Sequence, residues 1–375
     1  MPDFVPVNEP VLGEAERRYV LECLESGWIS SEGPFVARFE EAFAARVGRR
    51  FGIAVSSGTA ALDIAFAALG LGPEDEVIVP TFTIVSCLQG IVRSGARPVL
   101  VDAGAETWNA DAAEIERRVT PRTKAILAVH IYGLTVDMAA IEDLAARRGL
   151  AVVEDAAQSI GQRCRGRPCG SFGDLSVVSF YPNKHVTTGE GGMVLTDDER
   201  LAERCRSLRN LCFEKERRFL HRERGWNYRM ASLQAALGLG GLERLDRTVV
   251  RKREIGLAYR ERLADLPQLE LPADRTDWTE NLYWVFGLVL ADGVAGDAAD
   301  LARRLGQEGI GTRPFFWPMH EQPVFREMGL FAGERHPVAE RIARRGLYLP
   351  SGVGLGEPTI ERVAEAVRRL VREGT

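Results

Sequence analysis

The chain has 375 residues, 48 of them Lys or Arg and 53 Asp or Glu, giving a formal charge of −5. Its 45% hydrophobic and 27% charged residues are the balance of a globular chain long enough for two or three domains, and they exclude a disordered one. The mild negative charge gives no electrostatic reason to expect nucleic acid or an anionic membrane as partner. The six cysteines are too few for a disulfide framework, and no histidine lies beside them at zinc-site spacing, so reduced thiols are expected. The opening MPDFVPVNEP has neither the basic patch nor the apolar run of a signal peptide. No apolar run approaches the ~18 residues of a membrane helix, so a cytoplasmic location is expected.

Between residues 50 and 200, short β-branched runs alternate with helical text. The runs are GIAVSS (52–57), EVIVP (76–80), RPVLVD (97–102), KAILAVH (124–130), LAVVEDA (150–156), LSVVSF (175–180) and GGMVLT (191–196). Each is short, apolar and rich in Val or Ile, as strands buried on both faces are. TAALDIAFAALGLG (59–72) keeps Leu62, Ala65, Phe66 and Leu69 on one helical face, and DMAAIEDLAARRG (137–149) closes on Gly149. This alternation predicts a mostly parallel sheet with helices on both faces. Beyond residue 200 the text is more helical and more charged. Residues 231–262 read as one long helical stretch, 282–291 as a strand, 297–309 as a helix and 359–373 as a terminal helix. The reading divides the chain into a large α/β domain over 1–250 and a smaller α+β domain over 251–375.

Neither GxGxxG nor GxxxxGK[ST] occurs, so the sheet does not announce a dinucleotide or P-loop site. Three other places carry chemistry. Ser56-Ser57-Gly58-Thr59 lies between a strand and a helix, where small residues and free N–H groups suit a phosphate and where Ser and Thr also serve as ordinary caps. Asp155, beside Glu154, ends a buried strand and needs a partner, such as a protonated heterocycle nitrogen, a helix cap or a ribose. Lys184 stands between two strands just before the glycine turn TTGEGG; a lysine in a partly desolvated cleft can act as nucleophile or base, whereas one in a solvated loop would do neither. Together the three match a ligand with a phosphate, a protonatable ring nitrogen and an aldehyde, which describes pyridoxal 5′-phosphate.

The chain resembles the sugar aminotransferases of the DegT/DnrJ/EryC1/StrS family nearly end to end. The likeness is carried by WISSEGPFV (28–36), AVSSGTAAL (54–62), DEVIVPTFT (75–83), GARPVLVD (95–102), VEDAAQSIG (153–161), GSFGDLSVVSFYPNKHVTTGEGGMV (170–194), GWNYRM (225–230) and TRPFFWPMHEQP (312–323). The resemblance implies the fold type I of pyridoxal phosphate-dependent transferases, an α/β architecture with a mostly parallel seven-stranded sheet and a smaller C-terminal α+β domain. It implies Lys184 as Schiff-base lysine and general base, Asp155 as partner of the pyridine nitrogen, and Gln158 as partner of the ring hydroxyl. Ser57, Gly58, Thr59 and Ser179 would contact the phosphate. Asn227 would contact it from the neighbouring subunit of a homodimer with a shared active site. Trp28, Arg229, Trp317 and His320 lie in blocks that border the sugar nucleotide in relatives. Ile84 stands where relatives often place a Tyr or Trp on the pyridine ring; as a cofactor contact its aliphatic side chain can still cover the ring face but loses the aromatic contribution of about 0.5–1.5 kcal/mol. Some relatives replace the lysine by histidine and dehydrate their substrate; here the lysine is present, and His185 is expected to face away from it.

The implied reaction moves an amino group from L-glutamate to C4 of a nucleotide-linked 4-keto-6-deoxy sugar, GDP-4-keto-6-deoxymannose first, with pyridoxamine 5′-phosphate as the intermediate cofactor form. A UDP- or dTDP-linked 3- or 4-ketosugar is the alternative. A non-catalytic regulator that senses the cofactor or a sugar nucleotide is the reading of another class; the chain shows no basic helix-turn-helix text or basic tail to support it.

Overall fold

The computed structural model describes residues 4–214 and 216–373. Two helices, α1 (Glu14–Ser26) and α2 (Pro34–Val47), precede the first strand. Strands and helices then alternate: β1 (Phe51–Val55), α3 (Gly58–Ala68), β2 (Glu76–Pro80), α4 (Val85–Ser94), β3 (Arg97–Val101), α5 (Ala112–Arg117), β4 (Thr123–Val129), α6 (Met138–Arg148) and β5 (Ala151–Asp155). A short hairpin, β6 (Arg163–Cys164) and β7 (Arg167–Pro168), leads to β8 (Leu175–Ser179) and β9 (Gly192–Thr196). All seven β-branched runs are strands of one sheet, in the order β1-β9-β8-β5-β4-β2-β3.

The sheet is parallel except at β9, which runs antiparallel to both β1 and β8. The cause is the connection. Parallel neighbours need a crossover helix, whereas β8 and β9 are joined directly by the loop 180–191 that carries Lys184. Both faces of the sheet are covered. Ile53, Val77, Val79, Leu127, Val153 and Val177 pack on one side with Leu62 and Phe66 of α3 and Leu88 of α4. Ile78, Val101, Ile126 and Val152 pack on the other with Ile141 and Leu144 of α6. Each such side chain contributes roughly 1.5–3 kcal/mol by leaving water.

After β9 come α7 (Glu199–Arg209), α8 (Ser232–Glu243) and α9 (Leu245–Leu263). The single helical stretch expected over 231–262 is therefore two helices. The chain leaves helical geometry at Arg244 (φ −102°, ψ 2°), whose guanidinium reaches back 2.6 Å to Glu16 of α1. α8 can then lie along α1 while α9 crosses to a second sheet. That sheet is formed by β10 (Leu269–Glu270), β11 (Phe286–Leu290), β12 (Arg313–Pro314) and β13 (Gly346–Leu349), in the order β10-β11-β13-β12 and antiparallel throughout. Its helices are α10 (Ala298–Gln307), α11 (Pro323–Glu327), α12 (Pro337–Arg345) and α13 (Glu357–Glu373). Tyr259 and Leu263 of α9, Leu301 of α10 and Val363 and Val367 of α13 share its core.

The strand expected from residue 282 begins only at Phe286. Tyr283 stands at φ 54°, its N–H donating to Asn281 Oδ1 at 2.7 Å, and this kink turns Trp284 out of the strand line. An aromatic cluster joins the two sheets: the Tyr132 ring lies 4.9 Å from Phe315, 5.2 Å from Phe316, 5.9 Å from Tyr348 and 6.2 Å from Trp284. Among the described residues no helix is long and apolar enough to cross a membrane.

Candidate active site

The carboxyl ends of β2, β4, β5 and β8 open on one side of the large sheet, the usual place for a ligand in such folds. A cleft of about 360 Å³ lies there. Ser57, Gly58, Thr59, Ile84, Asp155, Gln158, Ser179 and Lys184 all line it.

α3 begins at the cleft. Ser57 caps it, its Oγ accepting from Ala60 N–H at 3.0 Å while its carbonyl accepts from Ala61 N–H at 3.1 Å. The first N–H groups of a helix have no intrahelical acceptor, so those of Gly58 and Thr59 are left for a ligand. Position 58 must be glycine: a Cβ there would lie 2.7 Å from Ser179 Cβ. The helix start and the end of β8 are thus pressed together into one small-residue cradle. Thr59 Oγ1 shares a hydrogen bond with Ser86 Oγ of α4 at 2.9 Å.

Asp155 and Glu154 are neighbours on β5 and face opposite sides of the sheet. Glu154 is consumed internally. It accepts from His130 Nε2 at 3.0 Å and from Gly170 N–H, Phe172 N–H and Ser176 Oγ at 2.9 Å each. Burial works against its ionisation, but these donors outweigh it and hold the carboxyl below its ordinary range. Asp155 is buried but turned to the cleft. Its Oδ1 accepts from Ala157 N–H at 2.9 Å, and its Oδ2 from the Cys87 thiol at 3.4 Å. Burial pushes the Asp155 carboxyl up, against the pull of Ala157 N–H, the Lys184 amine and that thiol. A positively charged partner at this acid would offset the desolvation, and a protonated ring nitrogen is such a partner.

Gln158 is oriented by the chain: its Oε1 accepts from Tyr132 N–H at 2.9 Å, which leaves its Nε2–H₂ as donor. Lys184 is partly buried in the loop between β8 and β9. Desolvation lowers its amine to about 7, with Asp155 pulling the other way. Its Nζ sits 3.7 Å from the centre of the Trp284 ring. His185 faces the opposite side, its Nδ1–H donating to Ile160 O at 2.8 Å; burial and the nearby Lys252 lower it to about 3, so it is a neutral imidazole. Ile84 caps the start of α4 with 41% of its surface exposed, an aliphatic cover at the cleft mouth.

The remaining expected residues do not line this cleft within one chain. Asn227 is exposed and bridges backbone to backbone with Asn210. Arg229 bridges to Val55, and its guanidinium donates to Asn210 Oδ1. Trp28, 49% exposed, follows α1. Trp317, 43% exposed, stands on a neighbouring groove with the Arg344 guanidinium 4.8 Å over its ring. His320 is held on both sides, Nδ1 with Thr81 Oγ1 at 2.9 Å and Nε2 with Glu340 Oε1 at 3.2 Å, and burial lowers its pKa. With no free nitrogen it is a strut between β2 and α12.

Trp284, Phe316, Tyr348, Tyr181 and Glu190 also line the cleft and were not singled out from the sequence. Trp284, Phe316 and Tyr348 come from the second sheet, where an aromatic in an apolar run reads as core. Tyr181 and Glu190 sit inside the lysine block itself, and that is the one signal that could have found them.

The donor set fits pyridoxal 5′-phosphate: a helix start and Ser179 for the phosphate, an acid for the ring nitrogen, an amide donor for the ring hydroxyl and an amine for the aldehyde. Comparison with known proteins gives the same answer. Residues 10–368 match the DegT/DnrJ/EryC1/StrS aminotransferase family. The chain is 39% identical to a GDP-perosamine synthase of Escherichia coli O157:H7 over 367 residues, and 40% identical to one of Caulobacter vibrioides over 367 residues, covering 98% of both chains in each case. The aminotransferase TlmJ from Streptoalloteichus hindustanus superposes with a TM-score of 0.90 at 33% identity, over 98% of this chain and 99% of that one. The sheet order, the lysine loop and these matches together establish that the chain belongs to the DegT/DnrJ/EryC1/StrS aminotransferase family, with its fold type I architecture.

Proposed function

We propose that this aminotransferase transfers an amino group from L-glutamate to the C4 keto group of GDP-4-keto-6-deoxymannose, giving GDP-perosamine for polysaccharide biosynthesis. The observation that supports it most is the meeting of Lys184, Asp155 and the start of α3 in one cleft, in a chain about 40% identical to GDP-perosamine synthases over nearly its whole length. The cofactor is pyridoxal 5′-phosphate. When bound, it supplies an aldehyde for amine exchange and a ring that draws electrons from the carbon losing its proton.

The chain's own groups do the rest. Gly58 and Thr59 N–H and Ser179 hold the phosphate. Asp155 takes the ring nitrogen and favours its protonated form. Gln158 donates to the ring hydroxyl. Lys184, with an amine lowered to about 7, is present as both base and acid near neutral pH, so it can take a proton from one carbon and return it to another. The phenyl and phenol rings at the mouth narrow the path of water. We read Asn227 as a phosphate contact offered across a homodimer interface, and Trp28, Arg229 and Trp317 as contacts to the nucleotide sugar there. Their position outside the cleft of a single chain is what such sharing requires.

The test is product mass. The protein is incubated with pyridoxal 5′-phosphate, glutamate and GDP-4-keto-6-deoxymannose, and the sugar nucleotide is read by mass spectrometry. A ketone-to-amine mass change with release of 2-oxoglutarate is expected. Turnover only of a UDP- or dTDP-linked ketosugar would replace the substrate, and no turnover of any ketosugar would overturn the reading. Lys184→Ala is expected to abolish turnover.

A further inference from the structure

We propose that Trp284 is a positioning residue for Lys184: its indole face holds the amine at one wall of the cleft whenever the lysine is not bonded elsewhere. The proposal rests on Lys184 being the reacting amine.

Lys184 Nζ lies 3.7 Å from the Trp284 ring centre, well within the ~6 Å over which a ring face attracts a cation. The ring is not free to follow the lysine. It is 5% exposed, and its Nε1–H donates to the carbonyl of Asn183, the residue before Lys184, at 2.9 Å. Tyr283, the preceding residue, is fixed by its hydroxyl, which donates to Asp274 Oδ1 at 2.9 Å. It also nests on Gly256 of α9, where a Cβ would come within 2.2 Å of its ring. Tyr132 backs the indole from the large sheet. The tryptophan is therefore tied to the lysine's own loop and held by both sheets.

Chemistry explains why a ring serves here. Asp155 is the carboxylate that attracts Lys184, and that acid is needed for the ring nitrogen of the cofactor. A lysine released into the cleft needs another partner, and a carboxylate would compete for its proton. An aromatic face attracts an ammonium, accepts no proton from it, and leaves the neutral amine able to swing away. The other titratable groups that line the cleft with Lys184 are Glu190 in the glycine turn, Tyr181 in its own loop and Tyr348 of β13. Lys184 also lines the small cavity behind the loop, together with Glu9, His185, Arg244 and Lys252.

The experiment is competitive acetylation of the full-length, cofactor-free protein by acetic anhydride across pH 5 to 10, with Lys184 read by peptide mass spectrometry. The wild-type midpoint is expected near 7. Trp284→Leu removes the attraction to the ammonium, so the midpoint should fall by about one pH unit, a tenfold loss in the ammonium-to-amine ratio. Trp284→Phe should restore at least half of that shift. If Trp284→Leu does not fold, fluorinated tryptophans keep the shape while weakening the ring face, and the midpoint should fall stepwise with each fluorine. A midpoint that stays or rises in Trp284→Leu, or that ignores fluorination, overturns the proposal. The labelling needs neither cofactor nor sugar, so a wrong substrate assignment would leave its result standing.

Discussion

Lys184 should make the cofactor-free protein less stable. The amine falls from 10.5 in an unfolded chain to about 7 in the fold. Between those values the unfolded chain holds a proton that the folded chain does not, so stability rises with pH across the window from about 7 toward 10.5. Integrating gives a cost of about 4 kcal/mol at pH 7 and about 2 kcal/mol at pH 9. Lys184→Met removes the titrating group and keeps much of the volume; the attraction of the ammonium to Trp284 is already contained in the folded value near 7. The variant should therefore be more stable than wild type by about 4 kcal/mol at pH 7 and about 2 kcal/mol at pH 9. Asp155 and His185 feel the Lys184 charge and shift with its loss; the remaining titrating groups are common to both proteins and cancel in the difference. The assay is urea unfolding of both cofactor-free proteins at one protomer concentration and both pH values. A variant no more stable at pH 7, or a gain equal at the two pH values, would refute the reasoning.

Three further outcomes follow from distances already given. Asp155→Asn keeps an acceptor for Ala157 N–H but loses the charge, so pyridoxal 5′-phosphate, titrated by absorbance, should bind roughly 10- to 100-fold more weakly, the value of a charge-assisted hydrogen bond. Gly58→Ala places a Cβ 2.7 Å from Ser179 Cβ; the cradle must open, and the same titration should show at least a ~10-fold loss, with ~1–3 kcal/mol of stability lost in urea. Gly256→Ala drives a Cβ into the Tyr283 ring at 2.2 Å, so calorimetry should show a lower melting temperature and tryptophan emission a more solvated Trp284.

The sequence carried the large sheet and half of the cleft for a definite reason. A strand buried on both faces must be apolar throughout, so a polar residue at its end, such as Asp155, stands out. Ser57–Thr59 and Lys184 stand out in the same way, at a strand-to-helix join and in a loop between strands. Trp284 carries no such contrast, because an aromatic among apolar neighbours is the common pattern of a core. His320 had the opposite fault. It lies in a block that borders the sugar nucleotide in relatives, although a histidine after a proline-rich loop is commonly structural, and Thr81 and Glu340 occupy both its nitrogens. The break at Arg244 was legible only in part: Gly238, Gly240 and Gly241 just before it are weak helix formers, but the contact that holds the turn comes from Glu16, far away in the chain.

The aromatic wall has a consequence for synthesis on the ribosome. Residues up to about 200 already contain the phosphate cradle, Asp155, Gln158 and Lys184, while Trp284, Phe316 and Tyr348 emerge later. Phe316 N–H then donates to the Tyr132 hydroxyl at 3.2 Å, closing a link from the last-made sheet to the residue that orients Gln158. A nascent chain can thus offer the phosphate cradle, Asp155, Gln158 and Lys184 before it owns the aromatic wall of the cleft. The cleft is therefore complete only in chains translated almost to their end.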